Sequence, residues 1–450
     1  MKKNKDSLLE LARSTAKAAG SKPGVLSELY MTRTRTRSIA WSDGKLDMEQ
    51  QSTKHGLTLR LLQNGRQGMA STQDFSPAAA QAVWAEALEA LAFSQKDPDL
   101  VLPRPLTTKP LEFSDDPDLF QMTGNEVREI LQNFESKIKA RDPRLAKVIR
   151  AGFSEARQEW ALLNSNGVAV GESSTESGFG LEVLAVENGR SEVAGRYQAK
   201  RFFRDLRPEP LIEKICEEAL LSLEARSIPS GNYPTIFDPW VGCQFLELMA
   251  HSLCADQVQR GKSFFGRPEG QAVAAGTVTL VDDGLLAEGL NSSLYDDEGT
   301  PRTKTVPINS GRLEYLLYDA TTAQRDKMKS TGNGGRGGFS RPPSPQPSNF
   351  YLLPSFTSPD TLFQNTEKGF LVQEVMGMHT ADPISGDFSV GAQGRWIENG
   401  RPSHGVRGVT LAGNLKKMLQ SIEAVANDLT WYGTIGTPTF RVSQLTVGGT

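Results

Sequence analysis

Cysteine is scarce in this chain: Cys216, Cys243 and Cys254 are the three among 450 residues. Three thiols build no disulfide framework, and none stands in a CxxC pair, so the sequence reads as one for a reducing, cytoplasmic compartment. An excess of either charge is also missing. The formal net charge of −3 exerts no pull toward nucleic acid or an anionic membrane. No apolar run is long enough to span a bilayer. The opening "MKKNKDSLLELARSTAKAAG" starts basic but continues as an amphipathic helix with Asp6, Glu10 and Arg13, not as a signal-peptide core. No short-period repeat is visible.

What is present points to a sizeable soluble protein. Its 450 residues suffice for two or three domains, with 38% apolar and 23% charged side chains. The 42 glycines and 25 prolines imply many turns, hence many strands.

Residues 7–19 carry apolar positions at helical spacing. Residues 27–72 alternate with period two and turn at "DG" and "NG", an antiparallel meander. Arg33, Arg35 and Arg37 share one strand face, either a solvated face or a binding patch. A helix opens at Ser76 with Pro77 in its first turn, and another near Thr123 with Glu126 completing a capping box. An irregular connection, residues 97–120, lies between them. Two strand pairs with turns at "SNG" and "ENGR" follow, then a third helix, "LIEKICEEALLSLEA". The turn formers of "RSIPSGNYP" suggest a boundary, giving domains 1–228 and 229–450. The second half is expected to be strand-rich, with a late helix at "LAGNLKKMLQSIEAVANDLT". The class expected is α+β, two strand-rich domains with largely antiparallel sheets and packed helices.

The stretch "FLELMAHSLCAD" carries the most chemistry. At roughly 100° per residue, Cys243, Glu247, His251 and Cys254 fall within about 80° of arc, a polar stripe on an otherwise apolar helix. Zinc needs three or four such donors; a helix with one polar seam is the plainer reading. "STGNGGRGG" matches GxGxxG by spacing, but "FSRPPSP" after it forbids the helix a dinucleotide site needs. No GK[ST] P-loop is present. The loop offers an extended peptide a close backbone approach at Gly332, Asn333, Gly334 and Gly335, to which His379 is added as a candidate contact. A loop without fixed structure is the other reading. His379, Asp382, Ser385 and Asp387 lack a nucleophile-elbow pattern and read as a tight turn.

Together, "STKHGLTLRLLQNGRQGMAST", "GLNSSLYDDEGTPRTKT", "STGNGG", "ISGDFSVGAQGRWIENG" and "LAGNLKKMLQSIEAVANDL" resemble the TldD/PmbA family, in order and over nearly the whole chain. The family's TldD-type members carry an HExxxH helix and a C-terminal Cys that bind zinc; its TldE (PmbA) members lack these ligands. The resemblance implies that Glu247 and His251 match the motif's Glu and second His, that Leu246 replaces the first His, and that no thiol follows "NDLTWYGT". It implies a degenerate site with no catalytic residue and no metal of its own. The expected function is the non-zinc subunit of a TldD/TldE-type metallopeptidase. Zinc would lie in a TldD-like partner, and the chain would be a homodimer when isolated. Two alternatives stand beside this: a homodimeric peptide-binding protein without catalysis, and a hydrolase with its own site.

Overall fold

Residues 26–200 are dominated by long strands whose β-branched and alternating side chains suit a half-buried pleated surface. The computed structural model describes residues 7–106, 113, 115–267 and 270–450. Strands β1 (Leu26–Ser42), β2 (Lys45–Gln63), β3 (Arg66–Thr72), β4 (Leu145–Asn164), β5 (Ala169–Glu187) and β6 (Arg190–Lys200) form one antiparallel sheet in the order β3-β2-β1-β4-β5-β6. Three of its hairpins turn at Asp43-Gly44, Asn64-Gly65 and Asn188-Gly189, each with both φ angles positive. That is the turn whose twist matches right-handed strands. The two strand pairs expected after residue 147 share the single long strand β5.

Helices α1 (Leu8–Ala19) and α2 (Pro77–Phe93) cover one part of this sheet through Ala12, Ala80 and Val83 against Leu29, Met31, Leu57 and Leu59. Helices α3 (Gly124–Arg141) and α4 (Pro208–Leu223) cover another through Leu131, Phe134 and Ile212 against Phe153, Phe179 and Val183. The capping box at Thr123 and Glu126 is present, as are the N-caps Ser7 and Ser76. The arginine face of β1 is no free cationic patch. Arg33 meets Glu159 at 2.7 Å, Arg37 meets Glu155 at 2.5 Å, and Arg35 lies over the Phe120 ring.

The second half opens with β7 (Gly231–Phe237) and α5 (Pro239–Ser252). Then come β8 (Leu280–Asp283), β9 (Lys304–Asn309), β10 (Arg312–Leu313), β11 (Gly334–Gly335), β12 (Ser344–Pro345) and β13 (Phe350–Leu352). The last strands are β14 (Lys368–Met376), β15 (Asp387–Glu398), β16 (Arg401–Asn414), β17 (Ile422–Val425), β18 (Thr430–Tyr432), β19 (Ile435–Thr437) and β20 (Phe440–Gly448). One sheet runs β10-β9-β8-β13-β19-β18. The other runs β16-β15-β14-β7-β20-β17 and closes into a barrel because β16 also pairs with β20. Only β7–β14 and β13–β19 pair in parallel within these two sheets. The architecture is thus α+β with mostly antiparallel sheets, as expected. No described helix is long and apolar enough to cross a membrane.

The late helix is shorter than the sequence suggested. Residues 411–414 end β16, a helix spans only Leu415–Gln420, and Ile422–Val425 is a strand paired with β20. Leu411, Leu415, Met418, Ile422 and Val425 are all buried, so their helix-like spacing is real. The cause of that spacing is three successive elements each facing the same core.

Candidate functional site

Helix α5 starts where Asp238 accepts the amide of Trp240 at 3.0 Å, with Pro239 in the first turn. Its apolar side enters the core between barrel and second sheet. Phe245 packs edge-on against Phe237 and Phe388, and Leu246 and Met249 lie beside it. Glu247 and His251, one turn apart, are the exposed residues of the other side.

The four-residue polar stripe expected on this helix is not one surface. Cys243 is covered by the β18–β19 strands, its thiol 3.4 Å from the Ile435 carbonyl, and burial pushes that thiol up to about 11. Cys254 lies beyond the helix end, where the chain has turned inward; burial raises its thiol as well. A helical wheel extrapolates a helix that stops at Ser252 and ignores what packs over its first turn. Leu246 is only 4% exposed. Among the described residues no three His, Cys, Asp or Glu side chains are placed to hold a metal ion. The donors present therefore do not fit the zinc set of an HExxxH helix.

A charged and aromatic cluster fixes the start of α5 to the first sheet. Trp240 meets Tyr432 at 4.8 Å and Tyr197 at 5.6 Å between ring centres, and the Arg196 guanidinium stacks 4.8 Å over Trp240. Arg196 also pairs with Glu218 at 2.9 Å and Glu374 at 2.7 Å, while Lys214 pairs with Asp238 at 2.8 Å. Three acids here share two cations. Burial, with repulsion from Asp238 and Glu374, lifts the Glu218 carboxyl to about 7 against the pull of Arg196 and Lys214.

Beside Trp240 opens a cavity of about 480 Å³ over strands β4 to β6. Its floor is nearly bare backbone: Gly152 faces Gly180, and Gly180 faces Tyr197, in register. Glu176 stands at its wall. Solvent reaches this carboxylate, yet the concave surroundings desolvate it enough to raise its pKa. Burial also raises the Tyr197 phenol, with smaller contributions from Cys243, Glu247 and Glu176. Glu247 thus belongs to the same electrostatic neighbourhood as the cavity. Carboxylates, rings and exposed backbone can grip an extended chain; the two thiols nearby are held neutral and supply no nucleophile.

The glycine loop lies elsewhere and is packed. Asn333 donates to Asp282 at 2.7 Å and to the Gln346 carbonyl at 2.9 Å. The Gly334 amide donates to Asp296 at 2.8 Å, and Arg336 pairs with Glu28 of β1. Phe339 seats against Gly56, with Thr58 bonded to its carbonyl. This corrects the expectation of an open loop at Gly332, Asn333, Gly334 and Gly335. All four are buried, and the amide of Gly334 is already engaged. The anchors are polar, which a search for apolar residues overlooks; the signal lay in the acids of "YDDEG". His379 is exposed on a short turn, Met378–Thr380, close to the far end of α5, where Ser252 reaches the Pro383 carbonyl. Asp382 accepts the amides of Ile384 and Ser385, the tight turn expected there. Sequence reasoning did not single out Tyr197, Trp240, Tyr432, Arg196 or Glu218, whose roles depend on contacts between distant segments.

Comparison with known proteins covers nearly all of this architecture. Three models of PmbA/TldA metallopeptidase domains match: domain 1 at residues 27–92, the central domain at 117–223 and the C-terminal domain at 230–449. The chain is 26% identical to the metalloprotease PmbA of Escherichia coli O157:H7, covering 98% of this chain and 96% of that one. It is also 26% identical to a metalloprotease TldD homolog of Haemophilus influenzae, over 94% and 93%. Among solved structures, a protein of Thermotoga maritima named as a modulator of a DNA gyrase superposes with a TM-score of 0.88 at 26% identity, over 98% of this chain and 99% of that one. TldE from Thermococcus kodakarensis shares the fold, with a TM-score of 0.87 at 21% identity over 98% and 99%.

Proposed function

Since the chain belongs to the PmbA/TldD metallopeptidase family, we propose that it is the TldE-type subunit of a peptidase assembly, without zinc of its own. A TldD-type partner would supply the metal and the general-base Glu. This chain would supply cavity wall and contacts to an extended peptide, as a homodimer when alone and in the cytoplasm. The observation that carries the reading is Leu246, an apolar core residue where the family's zinc helix has its first His, directly before an exposed Glu247. One remaining His cannot hold zinc usefully. The glycine-floored cavity beside α5 supports the peptide part, because bare backbone lets another chain approach closely.

The test is co-expression with a TldD-type chain, followed by a chelator-controlled peptidase assay. A complex that cleaves unfolded peptide, stops on chelation and needs both chains supports the reading. Absence of a complex, with partner activity unchanged by this chain, overturns it in favour of a peptide-binding protein without catalysis. Chelator-resistant cleavage by this chain alone would instead indicate a separate hydrolytic site.

A further inference from the structure

A smaller cavity, of about 230 Å³, lies between the first sheet and the loops of the second half. One wall is a patch of β4 and β5 on which Gln158 faces Ser174 and Trp160 faces Glu172. The opposite wall includes Tyr295, Arg302 and Gln346.

Arg302 is 9% exposed. Its Nε donates to the Tyr295 carbonyl at 3.3 Å. Among the described residues, no acceptor bonds its two terminal nitrogens. The acids that feel its charge are Glu172, Asp282 and Asp296. Each is already bonded to neutral donors. Glu172 accepts from Ser293 at 2.6 Å and the Leu294 amide at 3.0 Å. Asp282 accepts from Asn333 at 2.7 Å and the Ser348 amide at 2.6 Å. Asp296 accepts the amides of Thr300 and Gly334, both at 2.8 Å. The other cavity arginine, Arg336, is committed to Glu28 and the Asp297 carbonyl. The unmet demand of this cavity is therefore for an acceptor, at one planar guanidinium.

We propose that this cavity binds a small carboxylate, both oxygens held by the terminal nitrogens of Arg302. A planar carboxylate matches the guanidinium fork. Nearby acids already offset much of the Arg302 charge, so a single negative charge fits where a doubly charged phosphate would be repelled. At about 30 Å³ per water-sized group, the space takes a ligand of roughly eight non-hydrogen atoms. A free peptide C-terminus and a small organic acid share this chemistry. The proposal does not depend on the peptidase reading.

Calorimetric titration of the full chain with N-acetylglycine as the peptide C-terminus, its amide, butyrate and inorganic phosphate tests it. The expected result is binding of N-acetylglycine or butyrate, with the tighter of the two identifying the source. N-acetylglycinamide should bind at least about tenfold more weakly than a carboxylate that binds, as should that carboxylate to Arg302→Gln, because a charge-assisted bond pair is lost. Arg302 packs against Gly284, so Arg302→Gln could fold poorly. Ser174→Trp is the second variant: it fills the cavity from the strand wall and should abolish binding while the melting temperature holds. Binding of neither acid, binding of phosphate alone, or binding unchanged in a folded Ser174→Trp chain overturns the proposal.

Discussion

A β-carbon on Gly334 would stand 2.5 Å from the Glu298 carboxylate. It would also lie 2.9 Å from Asp296. Glu298 is fully buried and held by the Ala320 amide at 2.8 Å, so it has no room to retreat. Gly334→Ala should therefore destabilise the chain by about 1–3 kcal/mol, the usual cost of overpacking. Urea unfolding measures it. A variant as stable as the parent would show that the acids around this loop yield more easily than their burial implies.

The cluster at Glu218 gives a pH signature. Its folded-state carboxyl is raised to about 7, chiefly by burial, against about 4.3 unfolded. The folded state thus binds the extra proton between these values. Its stabilising contribution is complete below about pH 4 and is lost as pH rises through about 7. Glu218→Gln cannot lose that proton. Between pH 5 and pH 8 the variant should gain on the parent by up to about 2 kcal/mol in urea unfolding. A difference independent of pH would mean that Arg196 and Lys214 keep Glu218 ionised throughout.

All three cysteines are buried, and burial raises the thiols of Cys216 and Cys243 to about 11 and lifts that of Cys254 well above its ordinary value. The native chain should show almost no fast thiol with a disulfide reagent at pH 8, and three after denaturation. Rapid reaction at Cys243 would indicate that the β18–β19 cover over α5 opens readily.

Local chemistry made much of this molecule legible in advance. Ser76 and Thr123 announced their helices because capping is decided within four residues. Asp-Gly and Asn-Gly announced hairpins because few other pairs accept two positive φ angles. The site was less legible. Cys243 and Glu247 share a helix face by angle, but only the returning β18–β19 strands decide that one is covered and the other open. The glycine loop looked unanchored because its anchors, Asp282, Asp296 and Asp297, lie 35 or more positions away. The core residues at 411–425 were visible, whereas the elements carrying them were not, since three short segments mimicked one period.

Leu246 allows the most direct test of how far this chain has departed from a zinc helix. Leu246→His restores the HExxxH pattern with Glu247 and His251 in place. It does not restore a site. The side chain at 246 sits among Phe245, Met249, Leu280 and Leu352, beside a small apolar void. An imidazole there meets one polar group, the Thr437 hydroxyl already donating to the Pro239 carbonyl at 3.1 Å, and loses the packing of a buried leucine. The third donor is still missing, because the β18–β19 segment over α5 brings no thiol of its own. The expected outcome is a loss of about 2–4 kcal/mol in guanidinium unfolding, with well under one zinc per chain by elemental analysis after saturation with zinc and desalting. Near-stoichiometric zinc, lost again in Leu246→His with His251→Ala, would show that this helix keeps a latent metal site and that the partner subunit is not needed to supply one.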